Sequence, residues 1–497
     1  MFRKQLLPQP QKTRMRNNST QSDKIRDRRV FSRSLFFVTA VLMLSVCVSC
    51  TRYEPAAIQG EYSLEAETET AAGLQTEPET ETDTMPETTA AAEPEDTRTP
   101  VRVKALYLAS KPVGNSERMD KLIGILDETE LNAVVIDIKD DYGKITYNME
   151  NVPEVVELES IESCIDDLPG LLKKFREHGI YCIARIVTMR DPHLARVKPE
   201  WMLTRQDGTV YKDNSGYPWV NPYKEEYWKY LRDIAVECGR VGFQEVQFDY
   251  FRFCTDKGAD DCVFQEEDVK DRDKISVITE LAQYMASELK DEGLYMACDV
   301  FGTIIRSRVD SRSVGQDYAG LAGIIDYICP MVYPSHYADT SFGLDHPDLY
   351  PYEAILGALK RSRTALAQAE EENGRTAVVR PWLQAFTATW LGSGRYRTYG
   401  AEEIRQEIQA VYDAGYDEWI LWSPSVTYDY SGFLSAAEGE KERERIEESR
   451  ALLPPEETAA EEETFPKELQ DALNGDGLSP EDESVLAEDG PIITYQK

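Results

Sequence analysis

Short apolar segments rich in β-branched residues recur along the middle of the chain, and segments with helical periodicity separate them. This alternation is typical of βα units, in which parallel strands form one sheet and helices cover it. The pattern predicts eight strands, at Val103–Ala109, Ala133–Ile138, Tyr181–Thr188, Glu245–Tyr250, Leu294–Val300, Asp326–Tyr333, Ala377–Phe386 and Glu418–Ser423.

Helices are predicted between these strands, and three of them end at a glycine just before the next strand. Gly179, Gly293 and Gly415 stand where a left-handed residue commonly closes a helix. Eight strands with intervening helices fit a single α/β domain, a (β/α)8 or TIM barrel. An open doubly wound sheet is the alternative, but no Gly-x-Gly-x-x-Gly motif follows the first strand. The clearest helix predictions are Ile165–His178, Glu225–Cys238, Ile275–Asp291, Glu353–Ala369 and Glu402–Ala414.

The first fifty residues have the composition of an export signal. Residues 1–34 are basic, and residues 35–50 are mostly apolar and end in Ser49-Cys50. This apolar segment is short for a membrane span. Its end resembles a bacterial lipoprotein processing site with Cys50 as the lipidated residue, although Cys47 stands where Leu is usual. An uncleaved signal anchor is the alternative, and both predict an extracytoplasmic protein anchored to the bacterial membrane.

Two flanking segments have compositions that do not favour a packed core. Residues 51–100 repeat Glu, Thr, Pro and Ala, so they bury too little apolar surface to offset the entropy of ordering. We expect a disordered linker there. Residues 436–497 begin as a charged helical sequence and become acidic with Pro and Gly, which predicts a partly helical, mostly disordered tail. The folded barrel domain is therefore expected at residues 101–435.

The barrel segment is itself acidic. Residues 101–435 account for −19 of the formal net charge of −35. Such a surface repels phosphate backbones, so nucleic acid is not an expected partner, and other anionic polymers are disfavoured for the same reason. A neutral or cationic sugar chain fits the charge better.

The cysteines and histidines of this segment lack the spacing of a metal site. Residues 101–435 contain no Cys-x-x-Cys, His-x-His or His-Glu-x-x-His motif, so we expect neither a metal nor another cofactor. A metal-dependent hydrolase is accordingly the third-ranked function hypothesis. Cys254 and Cys262 are close enough in sequence to form a disulfide within one loop after export.

Three predicted strands end in aspartate. Asp137, Asp249 and Asp299 close the second, fourth and fifth strands, and the reactive groups of this fold project from such strand ends. Glycoside hydrolysis needs two carboxyl groups across the scissile bond, and adjacent strand ends allow the separation of roughly 5–5.5 Å that retention requires. We expect Asp249 to be the nucleophile and Asp299 the acid/base, its pKa raised by burial and by Asp249. Asp137 is the reserve for either role.

Aromatic and polar residues follow the same strand ends, where aromatic rings can serve as platforms for sugar faces. The structural alternative is that the aromatic rings only cap the core, and that each Asp pairs with an arginine or with backbone N–H groups. The predicted substrate-binding residues are Lys139, Arg185, Tyr250, Arg252, Tyr333, His336, Trp382, Gln384 and Trp422.

At these strand ends the chain resembles a bacterial family of uncharacterised glycosyl hydrolase domains with a TIM-barrel fold. The resemblance implies the barrel and suggests glycosidase chemistry. An Asp that closes the fourth strand also looks like the nucleophile of α-amylase-type and α-galactosidase-type barrels. The matching stretches begin at Val135, Ala184, Gly242, Asp299, Pro330 and Arg380, and they span nearly all of 103–425.

Three positions depart from the family pattern. Asn221 and Ala385 stand where Asp is common, and Ser423 stands where Asn is common. If the seventh-strand Asp were the family's acid, this chain would lack it. A non-catalytic glycan-binding or envelope-associated barrel is therefore the alternative. The leading hypothesis is a retaining glycosidase or transglycosidase acting on a cell-surface or environmental glycan. The sugar and the oligomeric state are not specified by the sequence.

Overall fold

The computed structural model describes Asp96 and residues 98–452. The predictions for residues 1–34 and 35–50, lipidation at Cys50, nearly all of the linker and the tail beyond Leu452 lie outside these residues and stay predictions. No helix within the described part is long and apolar enough to cross a membrane.

Thirteen strands and thirteen α-helices are present in the described residues. The strands are β1 Lys104–Leu108, β2 Ala133–Lys139, β3 Ile145–Tyr147, β4 Ile161–Ile165, β5 Tyr181–Val187, β6 Thr204–Arg205, β7 Glu245–Asp249, β8 Cys262–Val263, β9 Tyr295–Phe301, β10 Tyr327–Met331, β11 Val378–Val379, β12 Trp382–Gln384 and β13 Trp419–Trp422. The helices are α1 Ser110–Val113, α2 Ser116–Glu128, α3 Pro153–Glu157, α4 Leu168–Glu177, α5 Leu194–Val197, α6 Glu225–Val241, α7 Glu266–Val269, α8 Lys274–Asp291, α9 Arg308–Val314, α10 Tyr318–Ala322, α11 Pro351–Asn373, α12 Ala401–Asp413 and α13 Ala436–Leu452.

Eight parallel strand positions close into a barrel, which confirms the predicted fold. We call these eight positions around the wall the staves. Their order around the wall is β1, β13, β12, β10, β9, β7, β5 and β2, and β2 pairs with β1 to complete the circle. Each predicted strand supplies one stave, within one or two residues of its predicted ends in most cases. The open doubly wound alternative is wrong, because the first and last strands pair with each other.

The seventh stave is shorter than predicted. It is split into β11 and β12, which pair with β10 on either side of Arg380 and Pro381. Proline has no backbone N–H to donate to a neighbouring strand, and this accounts for the break at that point. β12 pairs with β13 in the register that places Trp382 and Gln384 toward the C-terminal end of the barrel.

Helices cover the outside of the barrel, and their boundaries follow local signals. α4 begins at Leu168 rather than at the predicted Ile165, because Ile165 ends β4 and the Asp167 side chain caps the helix by accepting from the Gly170 N–H at 2.9 Å. The glycines predicted after α4, α8 and α12 have φ values of 70°, 73° and 86°. The three helix ends are therefore confirmed.

The last helix, α13, packs on the barrel through the buried Ile446, and its Glu447 pairs with Arg102.

Cys254 and Cys262 are both free and buried in the structure, so the disulfide that the sequence allows is not formed there.

Candidate active site

A cavity of about 360 Å³ opens at the C-terminal ends of the staves. Its wall combines charged and aromatic side chains. Among the described residues, the charged part consists of Asp141, Arg185, Arg190, Asp249 and Arg252. Catalytic groups of this fold are expected at this end of the barrel, and this cavity is therefore the candidate active site.

Asp249 is the carboxylate predicted as nucleophile, and it lies in this wall with 14% of its side chain exposed. Arg185 from β5 donates to Asp249 Oδ2 from Nε at 3.0 Å and from Nη2 at 2.5 Å. The Tyr250 N–H donates to the other oxygen, Oδ1, at 2.6 Å. These charge-assisted bonds fix the carboxylate's orientation at the edge of the cavity.

Asp299 is the carboxyl group predicted as acid/base, and it lies on the stave next to Asp249. Phe248 pairs with Cys298 across β7 and β9, so Asp249 and Asp299 are the next residues along the two strands. Asp299 is 2% exposed. Its Oδ1 accepts from Gln247 Nε2 at 2.5 Å and from Trp382 Nε1 at 2.6 Å, whereas its Oδ2 is buried without a hydrogen-bond partner.

The environment of Asp299 favours the protonated acid. Burial and the nearby negative charge of Asp249 raise its pKa well above the ordinary value for aspartate. A protonated carboxyl needs one fewer acceptor interaction and carries a donor, which fits the unpartnered oxygen. Asp299 does not itself line the described wall of the cavity, so this donor lies just behind the surface that Asp249 helps to form.

Asp137, the reserve carboxylate, is buried on the opposite side of Arg185. It accepts from Arg185 Nη1 at 2.6 Å and from the Tyr107 hydroxyl at 2.6 Å. Burial raises the pKa of Asp137 to about 6, although Arg185 opposes the shift. Arg185 therefore connects two of the three predicted carboxylates, and Asp137 acts on the cavity through Arg185 and Tyr107.

A fourth carboxylate, Asp141, was missed as a site residue. It follows β2 and lines the cavity, where Arg190 binds it and Arg185 lies 3.9 Å away. Although burial opposes ionisation, the two arginines lower the pKa of Asp141 below its ordinary value. The Asp140-Asp141 repeat after the second strand is the sequence signal that could have identified it.

The turn after β7 places Tyr250 and Arg252 in the same wall. Tyr250 has a left-handed backbone with φ of 54°, which a non-glycine residue adopts at a cost and which is frequent at functional sites. The Tyr250 ring contacts the Arg190 guanidinium at 4.1 Å. Beyond this turn Arg252 also reaches the cavity, so both predicted binding residues lie in its wall.

Aromatic rings continue from the cavity to the surface on two sides. Tyr142, which is 59% exposed, meets Tyr217 edge-on, and both line the cavity. On the other side Trp422 lines the cavity and Phe386 contacts it, with ring centroids 5.2 Å apart; Phe386 in turn stacks on Trp390. Trp390 is 50% exposed. The sequence identified Trp422 but not Tyr142, Tyr217 or Trp390. Tyr142 directly follows Asp141 after β2, whereas Tyr217 and Trp390 lie outside the predicted strands.

Tyr333 and His336 support this aromatic wall rather than the cavity itself. The Tyr333 ring is buried and contacts His336, Phe386 and Trp422. Burial lowers the pKa of His336 to about 4, so its imidazole is neutral near pH 7. A direct sugar contact of either residue stays a prediction.

Three predicted binding residues are instead enclosed in the barrel, where their polar groups have partners within the protein, and a direct substrate contact stays a prediction for them. Lys139 is fully buried, and its ammonium contacts Asp191 at 2.7 Å and donates to the Val187 carbonyl. Gln384 is also fully buried and bonds to Ser335 and Asp348. Trp382 uses its indole N–H to hold Asp299. Their polar groups are directed to neighbouring staves and loops, because barrel closure supplies partners that the linear sequence does not reveal.

The positions that depart from the family pattern have local structural roles. Asn221 accepts from the Tyr223 N–H through its side chain, and Ser423 Oγ bonds to Ser425. Ala385 follows β12 at the cavity end of the barrel and is half-buried. Its methyl group has no titratable atom, so the seventh stave offers no carboxylate at that position.

No group of three or more His, Cys, Asp or Glu residues within the described range is arranged to hold a metal ion. The charged cluster at the cavity consists of arginine and aspartate, in which the guanidinium groups already neutralise the carboxylates that could act as ligands. The chemistry available at the cavity is therefore that of carboxyl groups, arginines and aromatic rings.

Residues 105–428 match the model of a protein family described as "Putative glycosyl hydrolase domain". This range covers more than half of the chain, includes all eight staves and contains every residue named above in the cavity wall. A comparison with curated proteins finds no match.

Several solved structures are similar to parts of the chain. A hypothetical protein from Ruminiclostridium thermocellum ATCC 27405 is 34% identical over 39% of this chain and 97% of its own, with a TM-score of 0.36. The PgaB (BpsB) glycoside hydrolase domain from Bordetella bronchiseptica is 10% identical over 66% of this chain and 95% of its own, with a TM-score of 0.45. The endo-1,4-β-D-mannanase from Thermotoga petrophila RKU-1 is 15% identical over 70% and 99%, with a TM-score of 0.42.

Proposed function

This chain belongs to the glycosyl hydrolase domain family whose model it matches, and from that premise we propose that it cleaves a glycosidic bond with Asp249 as nucleophile and Asp299 as acid/base. The observation that carries the proposal is the contrast between two adjacent carboxyl groups. Asp249 is ion-paired and exposed to the cavity, whereas Asp299 is buried and favours its protonated form.

These two environments match the two tasks in a retaining hydrolysis. The nucleophile must be an anion that reaches the anomeric carbon, and the acid must hold a proton for the leaving oxygen. Arg185 orients the Asp249 carboxylate, and Gln247 and Trp382 both bond to Oδ1 of Asp299. The unpartnered Oδ2 is then the atom from which the proton is transferred.

The aromatic rings at the cavity support a carbohydrate substrate. Tyr142, Tyr217 and Trp422 all line the cavity. Sugar rings present apolar C–H faces that pack on aromatic side chains, and the hydroxyl groups hydrogen-bond to charged residues at the edge. The site is thus suited to holding a sugar against aromatic rings beside Asp249.

The test is hydrolysis of a panel of cell-surface and environmental glycans by the wild type and by single Asp→Asn variants. We expect Asp249→Asn to reduce kcat/KM by about 10⁴-fold or more, because the nucleophile is lost. Asp299→Asn should cost about 10²- to 10⁴-fold, with a smaller loss on substrates whose leaving group needs no protonation. Retention of configuration would be read by NMR of the first product.

Asp413→Asn is the matched control, because Asp413 is exposed at the end of α12 and does not line the cavity. Its activity should equal that of the wild type. Full activity of Asp249→Asn on any substrate of the panel would overturn the assignment of the nucleophile.

A glycan-binding barrel without hydrolysis is the second candidate. Two observations favour it: Asp299 does not line the described cavity wall, and Ala385 gives the seventh stave no carboxylate at its cavity end. It predicts glycan binding that survives in both Asn variants and no product from any member of the panel.

The site of action is a further part of the proposal. The basic and apolar segments before residue 51 favour export and attachment to the outer face of the cytoplasmic membrane, where polymeric glycans are accessible. Recovery of the protein from the cytoplasmic fraction of its own cells would contradict this location.

A further inference from the structure

One arginine of the cavity has no carboxylate partner. Arg185 pairs with Asp137 and Asp249, and Arg190 pairs with Asp141. Arg252 forms no ion pair with any described residue, although it is only 7% exposed. A buried charge is costly unless it is paired, so the charge of Arg252 requires another source of compensation.

Its surroundings provide that compensation only in part. The guanidinium carbon lies 4.3 Å from the centroid of the Phe301 ring and 4.8 Å from that of Trp219. Within the described chain, the guanidinium gives one hydrogen bond, from Nη1 to the Phe253 carbonyl at 2.8 Å. Cation–π contacts act through the faces of the guanidinium plane, and they leave most of the five N–H groups at its edge available.

The position of Arg252 directs the available N–H groups of its guanidinium to the cavity. The left-handed turn at Tyr250 brings the chain back after β7, and the Arg252 N–H donates to the Tyr250 carbonyl at 2.9 Å. Asp249, Tyr250 and Arg252 therefore line the same cavity within four consecutive residues. A ligand group that binds Arg252 lies in the same cavity as the proposed nucleophile.

We propose that Arg252 binds the carboxylate of an acidic sugar, so that the glycan recognised by this barrel contains a uronic acid or another carboxylated residue. The planar fork of a guanidinium matches a carboxylate in a bidentate pair, and the desolvated, aromatic surroundings strengthen such a pair. This inference rests on the proposed function, since it assumes that the cavity binds a glycan.

The acidic surface of the barrel limits which acidic glycans fit. The charge of −19 over residues 101–435 slows the approach of a polyanion, and for this reason the sequence disfavours anionic polymers. Repulsion between the acidic barrel surface and a polyanion acts over a long range, however, whereas an ion pair between Arg252 and one carboxylate acts only in the cavity. The two observations together favour a chain with carboxylates spaced among neutral sugars over one with a charge on every residue.

The experiment compares glycans that differ in one group. Oligosaccharides containing glucuronate, galacturonate or mannuronate would be measured beside their carboxyl-reduced counterparts, by titration calorimetry on the Asp299→Asn protein. This background slows turnover, and Asn resembles the neutral acid that Asp299 favours. We expect at least one acidic form to bind about tenfold or more tightly than its reduced form.

The variants assign this preference to Arg252. Arg252→Gln should remove the difference between acidic and reduced forms, and Arg252→Lys should restore part of it, because the charge is kept and the fork is lost. Arg102→Gln makes the same change in net charge at an exposed arginine that pairs with α13, and it should leave the preference unchanged. Near-ultraviolet circular dichroism would verify that each variant is folded.

The possible failures are distinguishable. Equal binding of acidic and reduced forms, or a preference that persists in Arg252→Gln, would overturn the role of Arg252 and leave the glycosidase proposal intact. Tighter binding of a sulfated neutral oligosaccharide than of any carboxylated one would overturn the carboxylate assignment. Absence of binding and hydrolysis with every glycan would overturn both proposals.

Discussion

The two ends of the barrel interior carry the same residue types with different partners. We call the N-terminal end of the staves the closed end and the end with the cavity the open end. At the N-terminal ends of the staves, Arg380 donates to Glu245 at 2.6 Å and to Glu418 at 2.9 Å, and its guanidinium carbon lies 3.9 Å from the Tyr327 ring centroid. Arg380 and Glu245 have no exposed surface. At the opposite end, Arg252 has no carboxylate partner among the described residues, and Asp249 reaches a cavity.

Burial and charge alone therefore do not identify the active site. The closed end contains a buried arginine between two carboxylates, and its closest polar contacts are all within the protein. Within the described residues each end contains a buried polar atom without a hydrogen-bond partner, Arg380 Nη2 at the closed end and Asp299 Oδ2 at the open end. Only the open end adjoins a cavity, which Arg252 and Asp249 line. A polar side chain that faces a cavity is therefore a better indicator of function than an unpartnered buried atom alone.

The largest effect on stability is expected from removing the cation of the closed end. Arg380→Ala leaves Glu245 and Glu418 buried without their partner, and we expect a loss of about 3–5 kcal/mol in the free energy of unfolding. Chemical denaturation would measure it, and the activity per folded molecule should be unchanged.

If Arg380→Ala does not fold, Glu418→Gln gives a milder version of the same test. The glutamine side chain keeps the shape of Glu418 and one of its hydrogen bonds. This substitution should lower the free energy of unfolding without changing kcat/KM. A loss of activity in a stable Glu418→Gln protein would contradict the separation between the two ends.

A second prediction is that pH changes activity at the open end of the barrel and stability at the closed end. The pKa of Asp299 is raised by burial and by Asp249, and the acid must be protonated to act. We expect kcat/KM to fall as the pH rises through this pKa on the alkaline side. The alkaline decrease should be absent from Asp299→Asn assayed on an aryl glycoside with an activated leaving group.

At the closed end, titration should change stability instead of activity. Burial raises the pKa of Glu245 to about 7, although Arg380 opposes the shift. Between pH 4.5 and 7 the folded state then binds more protons than the unfolded state, so stability falls as the pH rises and is constant above this window. Relative to Glu245→Gln, the wild type should lose about 3 kcal/mol across this pH window.

The smallest effect is expected at the rim of the open end. Trp390 is half exposed and stacks on Phe386, and its removal should weaken the binding of a polymer without disturbing the core. We expect Trp390→Ala to raise KM for a polymeric glycan by about three- to tenfold and to leave both the melting temperature and the KM for a short aryl glycoside unchanged. Equal effects on polymer and aryl glycoside would show that Trp390 supports the cavity rather than a longer binding surface.

The sequence could predict the strands and the strand-end aspartates because both signals are local. An apolar run that ends in Asp249 or Asp299 shows where a stave stops, and parallel staves bring their ends together. The same reasoning could not find the ion-pair partner of Lys139, since Asp191 lies on a loop 52 positions later. It also missed Asp141 and Trp390, whose roles depend on where loops fold over the barrel mouth.

The amino-acid sequence by itself determined the (β/α)8 architecture, the end of the barrel that carries the carboxylates and the membership of a family. Hydrophobic periodicity and turn residues act over a few positions, so they can be interpreted without knowledge of the whole fold. Only the tertiary structure decided which charged groups neutralise one another and which face a cavity. That outcome depends on contacts between distant segments, and it leaves Arg252 unpaired while Lys139 and Arg380 are enclosed.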